Sequence, residues 1–124
     1  MISIAGSPYD TLQEAIGIKG NYKGTLIDYG VKYSEIPLKD NKIDIKAVID
    51  SITDTTKLLL LQRSTGYSSR KAISMNEIKE VITAIKKSNN DVIIMVDNCY
   101  GEFTNKIEPT DVGADLIAGS LIKN

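Results

Sequence analysis

KLLLLQ at 57–62, SMNEIKEVITAI at 74–85 and VIIMVD at 92–97 decide the fold. A strand with one wet face alternates apolar and polar residues, whereas four successive leucines suit a strand buried on both faces, as in the middle of a parallel sheet. Val92 to Val96 is a second such run. Between them, Ser74 and Glu77 stand at capping-box spacing, and Ile78, Val81, Ile82 and Ile85 follow at i, i+3, i+4 and i+7, the stripe of a helix packed on one face. Strand, amphipathic helix and strand in that order make a crossover unit with parallel strands.

The same alternation extends outward. Ile2 to Ala5 reads as a first strand, and Asp10 is placed to cap a short helix to Ile16, with Gln13 completing a weak capping box and Gly17 stopping it. Thr25 to Val31 reads as a second strand. Asp44 can cap a helix whose apolar stripe is Ile45, Val48, Ile49 and Ile52. Ala114 to Ala118 reads as a last, shorter strand leading into Gly119-Ser120-Leu121-Ile122-Lys123. The expectation is an α/β fold, a mostly parallel sheet with crossover helices over about 10–17, 44–53 and 74–88. The strands at 58–61 and 92–96 are expected to be its most buried segments. No composition shift, repeat or low-complexity tract marks a domain boundary in residues 1–124.

Composition narrows the function. An apolar share of 42% with 25% charged residues is a globular balance, which argues against a wholly disordered chain. Fifteen basic against sixteen acidic residues give a net charge of −1, so no broad positive field exists to hold nucleic acid or an anionic membrane surface. The chain has no histidine and one cysteine, Cys99, which excludes histidine-dependent triads, histidine-containing metal sites and an internal disulfide. A buried structural thiol is the preferred reading of Cys99. The longest apolar runs fall far below the roughly 18 residues of a spanning helix, and Met1 is followed by no secretory leader. A reducing, cytoplasmic setting is the simplest expectation.

Ligands of open α/β sheets bind outside the carboxyl ends of the strands. Tyr9 and Asp10, Arg63 and Ser64, Asp97 and Tyr100, and Ser120 and Lys123 all map to that edge. Singly, each has an ordinary reading: Asp97 satisfied by the backbone of its own turn, Lys123 and Arg63 solvated, Tyr9 packed on the first helix. Together, Asp-x-x-Tyr after one apolar strand and Ser-x-x-Lys after the next match the needs of pyridoxal phosphate. The cofactor requires a lysine amine for its aldehyde, a carboxylate for its pyridine nitrogen, a hydroxyl for its phosphate and a phenol for its ring oxygen.

The stretches GSPYDTLQEAIG (6–17), LLLLQRSTGYSSRKAISMNEI (58–78), VIIMVDNCYGEF (92–103) and EPTDVGADLIAGSLIKN (108–124) resemble the aluminium-resistance-protein family. Its members are fold type I pyridoxal-phosphate enzymes, described as methionine gamma-lyase-like or cystathionine-lyase-like. The resemblance implies that Lys123 is the Schiff-base lysine, Asp97 the partner of the pyridine nitrogen and Ser120 a phosphate ligand. By analogy with other fold type I enzymes, Tyr100 is the partner of the ring oxygen. Tyr9 and Arg63 are further candidates, Tyr9 over the cofactor and Arg63 toward phosphate or substrate.

Family members are several times longer. Residues 1–124 are therefore expected to be a central part of a large cofactor-binding domain, with an upstream phosphate-cup segment and a C-terminal domain lying outside them. The implied activity is carbon–sulfur cleavage of a small amino-acid substrate by a homo-oligomer. The alternative is a non-catalytic α/β module that associates with itself or a partner.

Overall fold

A computed structural model of the chain describes residues 1–123. Five strands form one parallel sheet: β1 (Ile2–Ser3), β2 (Ser34–Glu35), β3 (Leu58–Gln62), β4 (Ile93–Asp97) and β5 (Leu116–Ala118), in the order β2-β1-β3-β4-β5. Three α-helices connect them: α1 (Asp10–Ile16), α2 (Ile45–Ser51) and α3 (Met75–Ser88). After β1 the chain moves to one side, to β2, and after β3 it moves to the other, to β4. The crevice between the carboxyl ends of β1 and β3 is thus a topological switch point, where loops diverge and leave room for a ligand.

The core lies between the sheet and α2 and α3. Leu59, Leu61, Ile94 and Val96 point to one face and meet Val48, Ile78, Ile82 and Ile85, all buried. Helix α3 begins as its sequence dictates: Ser74 Oγ accepts from Glu77 N at 3.3 Å, and Glu77 Oε2 accepts from Ser74 N at 2.8 Å. Asp44 likewise caps α2 by accepting from Ala47 N at 3.0 Å.

Three expectations are corrected. The second strand is not Thr25–Val31. That segment is a turn between Gly24 and Gly30, both at positive φ, closed by Thr25 N donating to Asp28 Oδ2 at 3.0 Å and Asp28 N donating to Thr25 Oγ1 at 3.3 Å. Its amides at Leu26 and Ile27 cap the last carbonyls of α1 instead of joining the sheet, and strand pairing comes only at Ser34–Glu35. Asp10 is the first residue of α1 rather than its cap. Tyr9 holds the cap position without a side-chain bond, Gln13 Nε2 donates to Pro8 O at 2.6 Å, and Asp10 pairs with Lys19 at 3.0 Å. Gly17 does end the helix, in the left-handed conformation at φ 98°, where a side chain would run into Thr25.

The third correction concerns β4. While β3 is buried from Leu59 onward, β4 alternates: Ile94 and Val96 are sealed in the core and Ile93 is 42% exposed on the other face. Next to it the whole of β5 is exposed, because α2 and α3 cover one face and no described helix covers the other at this edge.

Candidate active site

A cavity of about 640 Å³ opens at the carboxyl edge of the sheet, where the loops after β1, β3, β4 and β5 converge. Tyr9, Arg63, Asp97, Tyr100 and Lys123 all line it, so five of the six residues given a role toward cofactor or substrate in the sequence meet there, with Ser64 beside them. Ser120 stands three residues before Lys123 in the following turn and is not among the lining residues.

Tyr9 is held by the end of β3. Gln62, buried at the last position of that strand, accepts from Tyr9 N through Oε1 at 2.6 Å and donates from Nε2 to Ser64 O at 3.2 Å. One side chain therefore fixes the loops after β1 and β3 to each other across the switch point. Tyr9 also meets Tyr67: the hydroxyls are 3.2 Å apart and the ring centroids 5.4 Å, tilted by 38°. That hydrogen bond and the neighbouring phenol raise the Tyr9 pKa, favouring the neutral phenol.

Asp97 ends β4, at the register position of Gln62 on β3 and Ala118 on β5. Its Oδ1 accepts from Cys99 N at 3.1 Å, so the backbone of its own turn supplies one partner. Desolvation first, then the hydrogen bond and charge of Asp97, push the Cys99 thiol up to about 11. Cys99 is half-buried and borders the cavity rather than filling core. Its thiol stays protonated near neutral pH and is a poor nucleophile there.

Tyr100 follows in the left-handed region at φ 67°, a conformation that costs a tyrosine energy and needs support from its surroundings. The support comes from Arg63. The guanidinium is 8% exposed and donates from Nη1 to Asn98 Oδ1 at 2.8 Å and to Gly101 O at 3.1 Å, and from Nε to Ile73 O at 3.4 Å. Asn98, 1% exposed, passes the link on by donating from Nδ2 to Glu108 Oε2 at 2.7 Å. Glu108 Oε1 in turn accepts from Phe103 N at 2.9 Å. Two of these partners, Asn98 and Gly101, belong to the loop after β4, so Arg63 is engaged with the protein itself and holds that loop.

Lys123 lies in a 3-10 turn, Leu121–Lys123, and its Nζ stands 5.2 Å from the Tyr100 ring centroid and 5.6 Å from that of Tyr9. Ammonium-to-ring distances of this size are within cation–π range. The two tyrosines therefore flank the amine at the cavity.

Sequence reasoning missed Gln62, Asn98, Glu108 and Tyr67. Tyr67 sits in the GYSSR stretch at 66–70, which reads only as a loop, and the buried amides of Gln62 and Asn98 declare themselves only through partners distant in sequence. Among the described residues, no group of three or more His, Cys, Asp or Glu is arranged to hold a metal ion, and no helix is long and apolar enough to cross a membrane.

The fold and site define a parallel α/β protein with a ligand crevice at the topological switch point, bordered by an amine, a carboxylate and phenols. The chain belongs to the methionine gamma-lyase family, whose model matches residues 1–124. It is 48% identical over 126 residues to the uncharacterized protein YnbB of Bacillus subtilis (strain 168), covering 100% of this chain and 30% of that protein. Two crystal structures superimpose closely, both of proteins provisionally designated cystathionine beta-lyases involved in aluminum resistance. That from Listeria innocua gives a TM-score of 0.94 at 49% identity, covering 99% of this chain and 30% of the other. That from Clostridium acetobutylicum gives 0.93 at 52%, covering 98% and 30%. The chain thus spans about a third of the length of these relatives.

Proposed function

We propose that the protein is a pyridoxal-phosphate-dependent lyase of fold type I that cleaves a carbon–sulfur bond of a sulfur amino acid. The observation that carries this is the arrival of Lys123, Asp97 and two tyrosines at one cavity from the ends of neighbouring parallel strands. A primary amine, a carboxylate and phenols are the donor set the cofactor needs, so the residues present fit it. When bound, pyridoxal phosphate supplies an electron-withdrawing ring that stabilises negative charge developing at the substrate's α-carbon.

The chain's own residues then have distinct tasks. Lys123 provides the amine that holds the cofactor and can carry a proton to and from the substrate. Asp97, which accepts from Cys99 N through Oδ1 and borders the cavity, would pair with the pyridine nitrogen. Tyr100 would offer its hydroxyl to the ring oxygen of the cofactor, and Tyr9 would pack against the ring. Ser120, whose carbonyl accepts from Lys123 N at 3.0 Å, is assigned to the phosphate. Arg63 serves by fixing the loop of Tyr100. The names of the crystallographic relatives support the lyase assignment, and sulfur amino acids are the substrate class those names imply.

The complete protein is also proposed to self-associate. The support is the apolar surface at the β5 edge: Leu116 and Ile117 are 48% and 41% exposed, and Ile122 is 94% exposed.

The test takes the protein with whatever sequence flanks these residues in its natural reading frame, adds pyridoxal phosphate, and measures ammonia and thiol release from cystathionine and methionine. Release that needs the cofactor and disappears in Lys123→Ala is expected. Turnover that persists in Lys123→Ala would refute the assignment, and a wild type that neither binds the cofactor nor turns over would favour the non-catalytic module.

A further inference from the structure

The loop after β4 reaches across the site to the turn that carries Lys123. Glu102 Oε1 accepts a hydrogen bond from Ser120 N, and a Cβ added at Gly119 would run into the same carboxylate. Glycine at 119 is thus what lets the carboxylate lie against the turn. Within the turn, Lys123 N donates to Ser120 O at 3.0 Å, so the backbone of Lys123 is tied to that of Ser120. Glu102 is itself on a rigid arm, because its neighbours on both sides are fixed: Gly101 O accepts from Arg63 Nη1 at 3.1 Å, and Phe103 N donates to Glu108 Oε1 at 2.9 Å.

We propose that Glu102 is a positioning residue that sets where the Lys123 amine stands relative to Tyr100 and Asp97. Its carboxylate joins the loop bearing the ring partners to the turn bearing the amine, so the two halves of the site keep one spacing. The consequence for the cofactor rests on the assignment of Lys123 given above; the consequence for the position of Lys123 does not. A glutamine at 102 keeps a carbonyl acceptor for Ser120 N, whereas alanine removes it, and alanine at 119 displaces the carboxylate without touching its chemistry.

The experiment compares wild type with Glu102→Gln, Glu102→Ala and Gly119→Ala by two readouts that need no cofactor. One is the upfield ring-current shift of the Lys123 ε-methylene protons, which reports its place beside Tyr9 and Tyr100. The other is hydrogen exchange of the Ser120 amide, expected to speed up about tenfold when its acceptor is lost. Glu102→Ala and Gly119→Ala should each at least halve the ring-current shift, and Glu102→Gln should retain it. In the complete protein, borohydride trapping of pyridoxal phosphate on Lys123 should fall several-fold in the same two variants. If the ring-current shift and the Ser120 exchange rate are unchanged in Glu102→Ala, the positioning role is overturned. If they change as expected but wild type traps no cofactor on Lys123, the positioning role stands and the cofactor assignment falls.

Discussion

Replacing Asn98 with alanine removes both halves of a buried bridge. Its amide accepts from Arg63 Nη1 at 2.8 Å and donates to Glu108 Oε2 at 2.7 Å, in a position only 1% exposed. A hydrogen bond to a charged group is worth about 1.5–3 kcal/mol. Each charged partner keeps another bond, Arg63 to Gly101 O and Glu108 to Phe103 N, so the combined loss falls short of two full bonds. About 3 kcal/mol is the expected cost, since Arg63 is buried and water reaches its Nη1 poorly once the amide is gone, whereas the half-buried Glu108 is partly rehydrated. For a domain of this size that lowers the thermal midpoint by about 10 °C, and the urea midpoint by ~1–2 M. Equilibrium urea unfolding followed by circular dichroism measures it. A loss no larger than the ~0.5 kcal/mol of an ordinary surface substitution would refute the claim that this bridge holds the loop after β4.

The remaining expectations use the same preparation. Ile94→Ala, at a fully buried position, should cost about 2–5 kcal/mol, while Ile93→Ala next to it should cost well under half as much, because Ile93 is 42% exposed; equal losses would mean that β4 is covered on both faces. Ser74→Ala should cost about 1 kcal/mol at pH 7 by uncapping α3. The bonds from Ser74 hold the Glu77 carboxyl below its ordinary value of 4.5, and a lowered pKa stabilises the fold above that value and ceases to do so as the pH falls through the folded value. The gap between Ser74→Ala and wild type should therefore narrow as the pH drops below 4.5; a pH-independent gap would contradict the capping-box geometry. Cys99 should alkylate slowly at pH 8 and accelerate toward its raised value of about 11, and a rate that levels off near the ordinary thiol range would show that Asp97 and burial do not act on it.

The central strand–helix–strand unit is legible in the sequence because its signals are long and agree. The leucine run, the stripe at 78, 81, 82 and 85 and the Ser74–Glu77 box each specify the same arrangement, and the structure places all of them as read. The second strand is not legible, since two paired residues at 34–35 are too few to show a period. Thr25-Leu26-Ile27 has strand propensity, but the glycines at 24 and 30 and the Thr25–Asp28 bonds turn the chain, so local bonding overrides propensity. The open face of β4 is hidden for a different reason: VIIMV has the composition of a doubly buried strand, and composition does not tell whether a covering segment lies within these residues.

The residues at the cavity divide in the same way. Asp97, Tyr100 and Lys123 can be read because each follows an apolar run, and the carboxyl ends of parallel strands share one edge. Arg63 is found by the same rule, but its task is not, because its partners at Asn98 and Gly101 are 35 and 38 residues away. Glu102 gives no signal at all in the sequence, since its bond to Ser120 spans 18 residues and depends on how two loops fold toward each other.

The most direct test of the cofactor assignment is to locate the attachment. The complete protein is incubated with pyridoxal phosphate, reduced with borohydride, digested and mapped by mass spectrometry, alongside Asp97→Ala. A single pyridoxyl group on the peptide containing Lys123, weakened in Asp97→Ala, is the expected result. Labelling spread over exposed lysines such as Lys46 and Lys87, with no preference for Lys123, would contradict it.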